Sequence, residues 1–164
     1  ESDPGVQQLV RDGHRKVAWI DDAEPLSSAA AMGVAWQDAP FETELVRVPE
    51  SAGMEVLVRE LLERPDRPTA LAGPEHHVSA FLAACRISGV SVPGQFSLIA
   101  LTNAESERRA ARQGLSSTMI DSAIVGQRAG EAMLAWLGGE PPEAVMDVQT
   151  THWTPRATHG PVSA

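Results

Sequence analysis

Short apolar runs in this chain alternate with longer segments whose apolar residues recur at helical spacing, and no other feature constrains the fold as much. Val17-Ala18-Trp19-Ile20 is a continuous apolar run of the kind found in strands covered on both faces. Leu45-Val46-Arg47-Val48, residues 69–72 and residues 96–101 repeat the theme. Between them, Met54, Leu57, Val58, Leu61 and Leu62 fall at i, i+3, i+4, i+7 and i+8, the stripe of an amphipathic helix. Val78, Phe81, Leu82 and Cys85 mark one face of a second helix that stops at Gly89, and the Ala-rich stretch 27–36 predicts another. Strands separated by helices pair in parallel, because parallel neighbours need a long crossover. The expected fold is therefore α/β, a three-layer sandwich with a mainly parallel central sheet. Ligands of such sheets bind beyond the carboxyl ends of the strands. That rule points to Asp21-Asp22, to residues 73–77 and to residues 102–105.

The remaining segments are read in the same way. Residues 4–12 predict a short helix with Gly13 in a left-handed cap. Pro93-Gly94 suggests a type II turn, with positive φ at the glycine. A polar stretch runs to Gln113. Asp121 then caps a helix with a stripe of Val125, Ala129, Ala132, Met133 and Trp136, ended by Gly138-Gly139. Residues 145–148 alternate like an edge strand, and the Pro- and Gly-rich tail from Thr154 is expected to be loose.

A net charge of −9 repels a phosphate backbone, so duplex DNA, RNA and anionic lipid are poor partners for this chain alone. Cys85 is the single cysteine, which excludes an internal disulfide and suits a reducing cytoplasm. No apolar run approaches the ~20 residues that span a bilayer. The opening Glu1-Ser2-Asp3-Pro4 lacks the basic and apolar regions of a signal peptide.

Three stretches resemble the LacI/GalR transcription regulators. Residues 9–20, LVRDGHRKVAWI, are similar to that family's helix, GHR and buried strand. Residues 68–101, PTALAGPEHHVSAFLAACRISGVSVPGQFSLIAL, resemble its PTA strand, helix, G-x-x-VP turn and S-x-I strand. Residues 117–137, STMIDSAIVGQRAGEAMLAWL, with WTPRATHGP at 153–161, resemble its last crossover, helix and ending. The resemblance implies a periplasmic-binding-protein-like effector domain that starts midway. The C-terminal subdomain would comprise about 14–113 and 144–158. The helix 121–137 would pack on an N-terminal subdomain mostly absent here, and the DNA-binding headpiece would be absent too.

The resemblance also implies where a ligand would sit. Sugar-responsive members hold the effector with an Arg three residues before a Gly, an Asn after the PTA strand, an Asp after the S-x-I strand and a polar residue in the last crossover. In this chain Ala30 precedes Gly33, Glu75 or His76 stands for the Asn, and Thr102 followed by Asn103 replaces the Asp. Asp121 lies at the crossover and Asp22 follows the first strand. The ligand-binding candidates are thus Glu75, His76, Thr102, Asn103, Asp121 and Asp22. With the usual sugar clamp largely gone, two alternatives stay open: an effector that is not an ordinary sugar, or a site that no longer binds one.

Other features carry less. Glu75-His76-His77 could invite a transition metal, but no further His or Cys follows at ligand spacing, and no metal or cofactor is expected. Asp121 serves equally as a plain N-cap. His14-Arg15-Lys16 suits a helix C-terminus, which attracts cations. Cys85 on an apolar face is a buried thiol, not a nucleophile. There is no G-x-S-x-G elbow and no phosphate-binding Gly-rich loop opening a helix, so no enzyme activity is expected. The expected function is ligand sensing and dimerisation in a cytoplasmic regulator, with a small polar effector, sugar-like or otherwise. The partner would be a second copy, the dimer surface would involve residues 78–88, and operator DNA would be reached only through the headpiece. A periplasmic-type sugar- or solute-binding protein is the alternative. The stripe on 121–137 is expected either to dock on a second copy or to fold back onto its own domain.

Overall fold

The computed structural model describes residues 4–21, 39–48, 53–139 and 151–162. Helix α1 (Pro4–Arg11) leads into β1 (Lys16–Asp21) and β2 (Glu42–Arg47). Then come α2 (Met54–Glu63), β3 (Ala70–Pro74), α3 (Glu75–Ile87), β4 (Ser97–Thr102), α4 (Ala104–Gln113), β5 (Ser116–Ile120), α5 (Ser122–Leu137) and β6 (Thr151–Thr154). They build a six-stranded sheet in the order β2-β1-β3-β4-β5-β6. Every pairing is parallel except β5 with β6.

The alternation of side chains along each strand separates two cores. Ala18, Ile20, Leu71, Leu98 and Ala100 face Leu57, Val58, Leu61, Val78, Phe81, Leu82 and Cys85 of α2 and α3. Val17, Trp19, Ala70, Ala72 and Ile99 face the opposite way, onto Val6 and Leu9 of α1. Phe81 and Phe96 meet edge to face at 5.5 Å, a favoured aromatic geometry. The expected three-layer α/β sandwich is what forms.

Cys85 is fully buried, and burial pushes its thiol up to about 12. A disulfide reagent such as DTNB is therefore expected to leave the native chain unmodified for hours and to titrate one thiol after denaturation. Rapid native labelling would contradict this environment.

The structure corrects several expectations. β2 begins at polar Glu42, because Lys16 on β1 draws both Glu42 (3.1 Å) and Glu44 (3.2 Å) to its ammonium. The polar stretch 104–113 is helix α4. Asn103 and Ser106 form its capping box, and Gly114 ends it at φ 72°. Polar Ser116, Ser117 and Thr118 form buried strand β5. At Ser91–Gln95 the chain makes no type II turn, since Gly94 lacks positive φ. Instead the Gln95 N–H donates to Ser91 O (2.8 Å), and Gln95 Oε1 accepts from Ser91 N–H (3.0 Å).

Nor is the tail loose. Thr158 is buried: its Oγ1 donates to Leu98 O (2.9 Å) and accepts from Ser116 N–H (2.9 Å), while its carbonyl accepts from Leu98 N–H. His14 Nε2 donates to Gly160 O (3.1 Å), which fixes Nδ1 as acceptor for Thr69 Oγ1 (2.8 Å). Burial lowers the pKa of this imidazole below its ordinary value. These bonds tie the last described residues to β4, β5 and the start of β1.

Helix α5 follows Asp121 as expected, but no residue in it is buried. Its side chains do not fold back onto the described part of the domain: Met133, Leu134, Trp136 and Leu137 are 61–75% exposed. The Ala-rich stretch 27–36 and the edge strand at 145–148 lie outside the described residues.

Candidate functional site

The carboxyl ends of β3, β4 and β5 converge on one side of the sheet, and each strand passes almost directly into a helix. β3 does so with no loop, Pro74 being followed at once by the first residue of α3. Close strand packing requires Gly73 just before it: a Cβ there would collide with Ile20 O. At the mouth of these turns is a cleft of about 380 Å³. Its walls are Pro74, Glu75 and His76 from the first turn, Leu101, Thr102 and Asn103 from the second, Ser106 and Arg109 from α4, and Ile120 and Ser122 from the third.

Four expected ligand residues, Glu75, His76, Thr102 and Asn103, thus come together, although they arise from two different strand ends. Their surroundings differ. Glu75 is 5% exposed and fully engaged. Its Oε1 accepts from Ser79 Oγ (2.7 Å) and its Oε2 from Arg109 Nε (3.0 Å), with Gln113 Nε2 donating to Ser79 Oγ behind it. His76 is exposed at the rim, its ring 3.9 Å from that of buried His77. Among the described residues no group of three or more His, Cys, Asp or Glu side chains could hold a metal ion.

Thr102 is buried, and its Oγ1 donates to Glu107 Oε2 (2.7 Å). Asn103 Oδ1 accepts from the backbone N–H groups of Glu105 (3.0 Å) and Ser106 (2.9 Å), the start of α4. Asp121 plays the same part for α5, its Oδ1 accepting from Ala123 N–H (3.0 Å) and Ile124 N–H (3.2 Å). It lies between the wall residues Ile120 and Ser122. Asp22 falls outside the described residues.

Arg109 is one of the wall residues that the sequence did not disclose, with Ser106, Ile120 and Ser122. Half of its side chain is exposed, yet its Nε is held by buried Glu75 and its Nη1 rests 3.4 Å from Glu105. The usable signal was the Asn103-x-x-Ser106 cap. It starts a helix and places Arg109 and Glu105 one turn apart on its surface.

His14 and Lys16 of the small basic patch are spent within the fold. His14 joins strand and tail, and Lys16 also bridges Asp66 at 2.9 Å.

The model of the periplasmic binding protein-like domain matches residues 6–159. No curated protein matches the chain at a significant level. Among solved structures, a LacI family transcriptional regulator from Bifidobacterium animalis subsp. lactis superposes with a TM-score of 0.69 at 19% identity, covering 97% of this chain and 60% of that one. A LacI transcriptional regulator from a Rhodococcus species gives 0.65 at 24% identity, with 98% and 61% covered. A LacI family regulator from Arthrobacter, solved in complex with lactose, gives 0.63 at 17% identity, with 94% and 61% covered. At these identities the likeness is one of fold. The chain spans about 60% of the length of those structures.

Proposed function

Since the chain belongs to the periplasmic binding protein-like domain family, we propose that it is the ligand-sensing part of a LacI/GalR-type transcription regulator. The observation that carries this is the cleft at the ends of β3, β4 and β5. It gathers Glu75, His76, Thr102 and Asn103 at the place where parallel sheets take ligands. In this reading, residues 14–113 and 144–158 form a C-terminal subdomain. Helix α5, with Asp121 at its head, packs in the intact protein on an N-terminal subdomain beyond this chain. The exposed stripe of α5 supports that placement, as does the chain's spanning only three fifths of its structural relatives.

A small polar effector between the subdomains would favour one relative orientation, and a homodimer would pass that preference to DNA-binding headpieces. Transmission needs differential affinity. A ligand that binds both orientations equally shifts nothing. Among the described residues no helix is long and apolar enough to cross a membrane. A lone buried cysteine suits the cytoplasm, where we place the protein.

The intact gene product is expected to retard DNA from upstream of its own operon in a mobility-shift assay, with retardation altered by a polar metabolite from the same growth medium. The isolated 164-residue chain, at net charge −9, is expected to show no sequence-dependent retardation at physiological salt. Specific binding by the isolated chain, or none by the intact product, would sink the regulator reading.

A further inference from the structure

The polar groups of the cleft are unequally committed. Its one carboxylate among the described residues, Glu75, has both oxygens occupied by Ser79 and Arg109. The Asn103 amide oxygen is taken by the start of α4, and the Thr102 hydroxyl hydrogen goes to Glu107. Donors remain. Among the described residues Arg109 Nη2, Asn103 Nδ2 and Ser122 Oγ have no partner, and Arg109 Nη1 is held only by Glu105, which is 77% exposed. An exposed pair at that distance is weak and easily displaced. The buried Glu75, by contrast, holds Nε at 3.0 Å, on a residue that lines the cleft. A neutral polyol needs an acceptor for each hydroxyl hydrogen. The Ser122 hydroxyl can donate or accept, but Arg109 and the Asn103 amide nitrogen are donors only, set around a guanidinium fork that suits two oxygens at once.

We infer that the ligand of this cleft carries an oxyanion, a carboxylate or a phosphate, that docks on the outer edge of Arg109 with Asn103 and Ser122 beside it. The inference rests on the ligand-sensing reading and narrows it. Glu75 is then a positioning residue for Arg109 and not a ligand contact. The helices α3, α4 and α5 all begin at this cleft, and their N-terminal dipoles favour the same sign of charge.

The test is an NMR titration of the ¹⁵N-labelled chain with acetate, inorganic phosphate and glycerol, at ionic strength held constant with chloride. At least one anion is expected to move the Arg109 Nε–H and the Asn103 and Ser122 amides saturably, with an affinity at least about tenfold above that of glycerol. Acetate against phosphate tells which oxyanion fits. Arg109→Gln should abolish the response. Because that change also leaves Glu75 buried without its cation, Glu105→Gln is the second variant. It frees Nη1 without touching the buried pair and should tighten the anion about two- to fivefold. Saturation by neither anion, an unchanged response in Arg109→Gln, or no tightening in Glu105→Gln overturns the inference. If glycerol alone moves the cleft amides, the oxyanion is wrong while ligand sensing survives. Loss of sensing itself is read separately, in the mobility shift of the intact protein.

Discussion

Replacing Arg156 by methionine is expected to cost about 3 kcal/mol of folding stability, the lower end of what removing one partner from a buried ion pair costs. Arg156 Nη1 donates to Leu115 O (2.7 Å) and Ser117 Oγ (2.8 Å), and its Nη2 donates to Glu107. Glu107 Oε2 accepts from Thr102 (2.7 Å) and Ser117 (2.8 Å). The two side chains are only 20% and 17% exposed, so water replaces little of what is lost. Urea denaturation would show the midpoint falling at unchanged slope. Glu107→Gln together with Arg156→Met should cost clearly less than the two changes summed, because the second removes the charge the first strands. A cost within 0.5 kcal/mol for Arg156→Met, roughly that of an ordinary surface change, would mean the network is ornamental.

The same pair sets an acid limit. Burial alone would raise the Glu107 carboxyl, but hydrogen bonds from Arg156, Thr102 and Ser117 and the charge of Arg156 outweigh it and hold the group below its ordinary value. A carboxyl depressed in the folded state stabilises fully above its unfolded pKa, about 4.3. That contribution is lost as pH falls through the lower folded value. The gap between wild type and Glu107→Gln should therefore be widest near neutrality and close progressively below about pH 4.

The isolated chain is expected to self-associate through α5. Met133, Leu134, Trp136 and Leu137 leave most of their surface in water. Burying each fully is worth roughly 1.5–3 kcal/mol, and an arc of this size on a monomer invites association. Sedimentation should show the average mass rising with concentration on the order of 10–100 μM. Replacing those four by serine and glutamine should leave a monomer whose core stability is unchanged, since none of them packs in either core. In the intact protein the arc should be covered, and Trp136 fluorescence should shift to the blue relative to the isolated chain. A wild-type chain that stays monomeric throughout would remove α5 as an association surface.

The fold was legible wherever burial and apolarity coincide. β1, β3, β4, α2 and α3 are made of residues whose burial is their main energetic role, so period and composition disclosed them. β5 escaped because Ser116, Ser117 and Thr118 are buried through partners distant in sequence. Thr158 lies 42 residues beyond Ser116, and Arg156 lies 39 beyond Ser117. α4 escaped because only Ser106 and Ala110 in it are buried; its signals are end signals, a cap and a glycine. In the cleft, the rule about strand ends located the residues but could not say which atoms were already spent. Glu75 and Arg109 are 34 residues apart, and that bond turns the expected acceptor into the support for a donor.

The pinned tail bears on the order in which this chain can be made. Synthesis proceeds from the N-terminus, and domains fold as units while it does. β1 to β4 can assemble early, but residues 151–160 carry the outer neighbour of β5 and the partners of Leu98 and Ser116. A nascent chain halted before residue 151 would have an open edge at β5 and backbone donors with nothing to bind, the condition in which strands recruit other chains. Residues 151–160 therefore complete the described sheet beside β5. A domain inserted within 151–160 should break the β5–β6 pairing or the Thr158 bonds and destabilise the sheet.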